Sequence, residues 1–209
     1  MFVRNHTTQA SVGTDEMQFP SPFSGSDDDG TEEPFDPQDA FVLDHLPDPG
    51  PFLAGHEVLT GDAHVRVHSM TRECFEERGV YDVTFGYNLA RLNRDRRHPD
   101  AGFRYAEASD EEGVLRVEFT PTTEFCPQGQ TLVTAAFRAL NGLSDRHDYD
   151  LVRVRIDPSH QASATANDVL SVLETELRET GEIPHPDELD SLEPTGADGP
   201  AGPGPQAPY

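Results

Sequence analysis

Between Gly113 and Asp157 the hydrophobic period of the chain changes twice, and no other stretch constrains the fold as tightly. In Gly113–Thr120, Leu115, Val117 and Phe119 alternate with Arg116 and Glu118, the pattern of a strand with one buried face. Asp150–Asp157 repeats it, with Val152, Val154 and Ile156 opposing Arg153 and Arg155. Between them, Gln128–Leu140 places Leu132, Val133, Ala136, Phe137 and Leu140 on one helical stripe, and Gly142 can end it. Strand, helix and strand in this order predict a right-handed crossover unit.

The flanking segments extend this reading. Thr165–Thr180 predicts a second helix: Thr165 and Asp168 have capping-box-like spacing, Val169, Leu170, Val172, Leu173 and Leu177 point inward, and Gly181 closes it. Ala63–Ser69 alternates as a strand would. So does Val80–Tyr87, with Tyr81, Val83, Phe85 and Tyr87 on one face. A short helix is expected over Asp39–Leu46. A long excursion rich in arginine and acid, Leu89–Glu112, separates the Val80 and Gly113 strands. The expected class is α/β (α+β), a small mixed sheet with helices packed on one face.

Composition sets the boundaries. Residues 1–50 carry 11 acidic residues against one arginine, and 183–209 carry five acids, seven prolines and no arginine. Residues 51–182 carry 23 acids and 14 arginines, the balance of a folded domain. The expected organisation is a disordered acidic segment over 1–38, a domain over 39–182 and a disordered Pro/Gly-rich tail over 183–209. The net charge is −24, and all 15 cationic residues are arginine. Such acidity resembles that of salt-in halophile proteins, because dense like charge is tolerated where the Debye length falls to about 3 Å at 1 M salt. The sign of the field disfavours nucleic acid. The N-terminal residues show no apolar signal core or twin arginine, and no apolar run reaches the roughly 20 residues that span a bilayer. A soluble, cytoplasmic protein is expected.

Thr120-Pro-Thr-Thr-Glu-Phe-Cys-Pro-Gln-Gly-Gln-Thr-Leu132 is the segment richest in chemistry. Pro127 suits a first helical position, where its missing N–H would have had no partner. That setting puts the Cys126 thiol at the positive end of a helix dipole, which favours thiolate. A thiolate binds metal, carries a cluster or attacks an electrophile; the alternative is a small buried residue beside a core helix. Cys74 and Cys126 form no CxxC motif, and a single bridge between them stays open.

Gly79-Val-Tyr-Asp-Val83, Leu115-Arg-Val-Glu-Phe-Thr-Pro-Thr-Thr123, Cys126-Pro127, the leucines from Leu132 to Leu140, and Val152-Arg-Val-Arg-Ile-Asp-Pro158 occur in a definite order. Over Arg78–Gly181 this set resembles the MIP18-type (DUF59) domain of iron–sulfur cluster assembly factors. The family's acidic Asp-Pro-Glu element is missing, its tight link between the first two strands is replaced by Leu89–Glu112, and Ser159-His160 stand where a tryptophan would follow Pro158. The resemblance implies a factor in iron–sulfur cluster assembly or metal–sulfur maturation, rather than a turnover enzyme. It would act through Cys126, carry a transient cluster or iron, and work with protein clients or other assembly factors; a homodimer is one way to complete a cluster. Because clusters usually need four thiolates, further ligands would have to come from elsewhere. Thr120, Thr122 and Thr123 could donate hydrogen bonds to a sulfur or oxyanion in this loop, although threonines in turns more often satisfy their own backbone. The alternative is a non-catalytic protein-interaction module on the same fold.

Three rival groupings remain. His64 and His68 with nearby Cys74 could meet one metal ion if Ala63–Ser69 is a strand, since positions four apart share a face; the competing reading is a solvent-facing edge. Cys126 with His160 or His147 would make a nucleophile and base, without a residue to orient the base. Arg91, Arg94, Arg96 and Arg97 form a basic patch that either neutralises neighbouring acids or meets an anionic partner. Asp145–Asp150 reads as an acidic loop before a strand.

Overall fold

The crossover unit forms where its periodicity places it. In the computed structural model, which describes residues 34–37 and 45–185, the elements run β1 (Glu57–Val58), α1 (Gly61–Arg78), β2 (Tyr81–Asp82), β3 (Tyr87–Asn88), β4 (Gly102–Glu107), β5 (Val114–Thr120), α2 (Gly129–Asn141), β6 (Leu151–Ile156) and α3 (Ser163–Thr180). Four strands form a mixed sheet in the order β1-β4-β5-β6. β5 and β6 pair in parallel across α2, with Leu115, Val117 and Phe119 opposite Val152, Val154 and Ile156. β4 is antiparallel to both β5 and β1. The architecture is α+β.

The alternation explains the layering. The apolar row of β5 and β6 joins Val133, Ala136, Phe137 and Leu140 of α2 and Leu170 and Leu173 of α3 in one buried core. Arg116 and Glu118 project to the opposite face, and residues 47–52 cover them there. Glu118 accepts the amides of Gly50 (2.5 Å) and Phe52 (3.1 Å), and Arg116 donates to the Phe52 carbonyl (2.9 Å). A side chain at Gly50 would collide with this carboxylate, its Cβ falling 2.4 Å from Oε1.

Three expectations fail upstream. Ala63–Ser69 belongs to helix α1, not to a strand. Its buried residues, His64, Val67, His68, Thr71, Cys74 and Phe75, recur at helical spacing. Gly79, at φ 67°, closes α1 in a Schellman arrangement, with the Gly79 and Val80 amides donating to Glu76 and Phe75. Val80–Tyr87 is not one strand but a two-stranded hairpin of β2 and β3. Asp82 Oδ1 takes the amides of Thr84 (2.7 Å) and Phe85 (3.1 Å) and turns the chain, leaving Val83 exposed. The excursion Leu89–Glu112 holds a 3-10 helix, Leu89–Arg94, and strand β4.

Two helix starts also shift. α2 begins at Gly129, so Pro127 is not its first residue. α3 begins at Ser163 with no side-chain cap, which places Thr165 inside the first turn. Most of the helix expected over Asp39–Leu46, and both expected disordered segments apart from 34–37 and 183–185, lie outside the described residues.

Candidate functional site

The sequence marks Cys126 most strongly, and the fold gives its loop a structural task. The Cys126 amide donates to the Thr123 carbonyl (3.3 Å), while the Cys126 carbonyl accepts from the Gly129 amide (3.1 Å) and from His160 Nε2 (2.9 Å). His160 is buried, and its other nitrogen, Nδ1, takes the Ala162 amide (3.3 Å). Both ring nitrogens are therefore committed to backbone, and His160 is not placed as a base for the thiol. His147 is committed in the same way, to the Leu140 carbonyl and the Tyr149 amide. Gly129 makes this packing possible: a Cβ there would lie 2.7 Å from His160 Nε2. Cys126 is half-buried against the core, three residues ahead of α2 rather than at its first turn. Thr120 ends β5, Thr122 is half-buried, and Thr123 is exposed and contributes its carbonyl to the turn. Both cysteines are free, so the possible Cys74–Cys126 bridge is not formed.

The His64, His68 and Cys74 grouping also changes character. The two imidazoles lie one turn apart on α1 and stack at 5.8 Å between centroids, but they face the core instead of solvent. His68 Nδ1 meets the Tyr105 hydroxyl at 2.9 Å. Burial, followed by the Arg104 charge, brings the His64 pKa down to about 4; burial holds His68 well below the usual histidine range. Cys74 follows His68 by six residues, about 9 Å along the helix axis and on a different flank. It is buried near Met70, with sulfurs 3.8 Å apart, and burial raises its thiol pKa. Among the described residues, no three or more His, Cys, Asp or Glu side chains are arranged to hold a metal ion.

The arginine patch divides in two. Arg97 turns onto Asp95 with bonds of 2.8 and 2.6 Å, and Arg96 Nε lies 4.0 Å from Asp36. Asp95 is buried, which opposes its ionisation, yet the Arg97 and Tyr87 hydrogen bonds hold its carboxyl below the usual range. Arg91 and Arg94 instead face a pocket of about 300 Å³ together with Arg72 and Glu76 of α1 and Tyr81, Gly86, Tyr87 and Asn88 of the hairpin.

Asn88 builds that pocket. Its Oδ1 caps the 3-10 helix through the Ala90 amide (3.0 Å), and its Nδ2 donates to the Arg72 carbonyl (3.0 Å) and Glu76 Oε2 (3.1 Å). One side chain thus fixes the 3-10 helix against α1, bringing together arginines about twenty positions apart in sequence. Tyr81 donates to Glu76 Oε1 (2.7 Å), and the Tyr81 and Asn88 bonds hold the Glu76 carboxyl low. Burial, then the charges of Arg91 and Arg72, lowers the Arg94 pKa. A site made this way suits oxyanions, because each guanidinium presents a planar fork of donors.

A family model described as a domain of unknown function, DUF7998, matches residues 33–184. The chain belongs to the DUF7998 family. This overturns the MIP18-type resemblance: the ordered motifs shared with that family are the generic marks of a strand–helix–strand unit, and the match lies elsewhere. The expectation of a cluster at Cys126 loses the resemblance on which it rested. No curated protein and no solved structure matches the chain. Among the described residues of this DUF7998 member, no helix is long and apolar enough to cross a membrane.

Proposed function

We propose that this DUF7998 domain is a non-catalytic interaction module that receives its partner at the pocket formed by α1, the β2–β3 hairpin and the Leu89–Arg94 helix. The convergence of Arg72, Arg91 and Arg94 on one pocket, in a chain of net charge −24, carries this reading. Gathering like charges costs free energy, and this chain has acids enough to neutralise every arginine. The exposed Tyr81 and Val83 beside the pocket add an apolar edge that a partner can cover. The commitment of His147 and His160 to backbone also supports binding over nucleophilic catalysis at Cys126.

The test places a photo-crosslinking amino acid at Val83, on the hairpin rim, in cells that make the protein. The expected result is a discrete adduct with one protein, lost in Arg94→Gln and retained in Cys126→Ser. An adduct that depends on Cys126 and ignores Arg94 would contradict the proposal.

A further inference from the structure

The pocket's charges specify a ligand class more narrowly than "anionic". Arg91 lies 3.9 Å over the Phe35 ring, and its Nε is buried without a hydrogen-bond partner among the described residues. Among the described residues, the Arg94 side chain makes one long bond, from Nη1 to the Asp36 carbonyl at 3.3 Å. Neither forms an ion pair with a described residue, whereas Arg97, three positions beyond Arg94 at the end of the 3-10 helix, is fully engaged by Asp95. Glu76, the pocket's carboxylate, is already held by Tyr81 and Asn88. Three guanidinium groups and one carboxylate leave the lining at net +2, and the exposed Glu73 carboxylate, 4.0 Å from Arg72, stands outside it.

We infer that this pocket binds the dianion of a phosphate monoester, an inference that rests on the interaction-module reading and names what the module takes. A phosphate monoester carries about −1.5 to −2 charges at pH 7 and offers three acceptor oxygens, which match the net charge and number of the arginines. A single carboxylate would leave the lining positive. Arginine forks grip phosphate oxygens in pairs, and the contacts are strongest where water is partly excluded. The 300 Å³ volume, at the lower end of small-ligand sites, fits a phosphoryl group on a short stem, with Tyr81 at the rim to pack against that stem. A nucleic-acid strand would bring a run of charges against a strongly acidic molecule; one monoester brings two into a local positive spot. Two sources share this chemistry, a phosphorylated side chain of a partner and a small phosphorylated metabolite.

Isotope-labelled full-length chain, held at constant high ionic strength with KCl, is titrated with a Gly-phosphoserine-Gly peptide, with ribose 5-phosphate, and with acetate. The expected result is saturable amide shifts confined to Arg72–Glu76 and Tyr81–Arg94 for the phosphorylated probes and none for acetate. Arg94→Gln and Arg91→Lys should each weaken binding by about tenfold or more. Arg91→Lys keeps the charge but removes the fork and its stacking on Phe35, so an unchanged amide spectrum outside the pocket is the check that its loss of affinity is not a loss of fold. The phosphorylated probe that saturates first names the source. The inference is overturned by an equal response to acetate, by shifts that do not saturate at the pocket, or by unchanged affinity in both variants. If the phosphate probes fail while the Val83 adduct still depends on Arg94, the ligand class falls and the module reading stands.

Discussion

Two groups of arginines in this domain sit in opposite electrostatic settings. Along β6 and α3, Arg153 meets Glu111 (2.8 Å) and Glu174 (2.7 Å), Arg155 meets Glu174 (2.9 Å), and Arg178 meets Glu111 (2.8 Å). Two carboxylates thus satisfy three guanidiniums and tie α3 to the edge of the sheet. At the pocket, Arg91 and Arg94 have no such partners among the described residues and share one cavity with Arg72. The contrast is informative because acids outnumber arginines 39 to 15 in this chain. A matched arginine there belongs to the scaffold, and arginines left facing a cavity mark a place where an anion is expected.

The largest effect should come from breaking the matched side. Glu174→Ala removes a carboxylate that is 11 % exposed, takes from Arg155 its carboxylate partner and leaves Arg153 with Glu111 alone; the two arginines are 14 % and 17 % exposed. Urea denaturation should show a loss of about 3 kcal/mol, typical of a buried ion pair deprived of one partner. A loss below about 1 kcal/mol would show that the network is solvated and would weaken the distinction between the two groups.

Next in size is a pH effect on the scaffold beneath the pocket. His64 and His68 lie between the pocket helix α1 and Tyr105, near Arg104, Arg94 and Arg72. Their folded-state pKa values are depressed, so the unfolded chain binds more protons and stability rises with pH through this range. The contribution is complete above about pH 6.5 and is lost as pH falls toward the folded value of about 4 for His64. For His64 alone the difference amounts to about 3 kcal/mol. His64→Leu should flatten the stability profile between those limits, as read from denaturation midpoints; an unchanged slope would exclude His64 as its source.

A smaller effect is expected at the Cys126 turn. Gly129→Ala pushes a methyl group to within 2.7 Å of His160 Nε2 and 3.1 Å of Ile156 Cδ1. The cost should be about 1–2 kcal/mol, with faster labelling of Cys126 by iodoacetamide as its turn loosens. Unaltered labelling would mean that the His160 bond does not hold the loop.

These effects follow how legible each part was in the sequence. β5, α2, β6 and α3 could be read directly, because the apolar rows are complete and each faces a single layer. α1 could not: two of its core positions are histidines, and Ala63, Val65 and Val67 imitate a strand when the histidines are taken as polar. β4 was hidden because both of its faces are covered: Phe103 and Tyr105 enter the core, while Arg104, opposite Glu118 on the other face, is buried with its Nη1 satisfied by the Pro47 carbonyl (3.1 Å), a bond that only the fold supplies. The pocket was half legible. Arg91 and Arg94 stood out as part of a basic run, but Arg72 joins them only through the helix that the sequence disguised, and Asn88, which positions all three, carries no charge to draw attention. Cys126 stood out because Pro127 reads as a helix start, but α2 begins two residues beyond that proline.

The smallest predicted effect on stability tests the central distinction most directly. Arg94→Gln removes a pocket arginine that already lies beside two like charges. Measured in the same buffer as Glu174→Ala, its unfolding free energy from urea denaturation should stay within about 0.5 kcal/mol of wild type or rise above it, while binding at the pocket is lost. A fall as large as that of Glu174→Ala would show that the pocket arginines are part of the scaffold and would contradict the account.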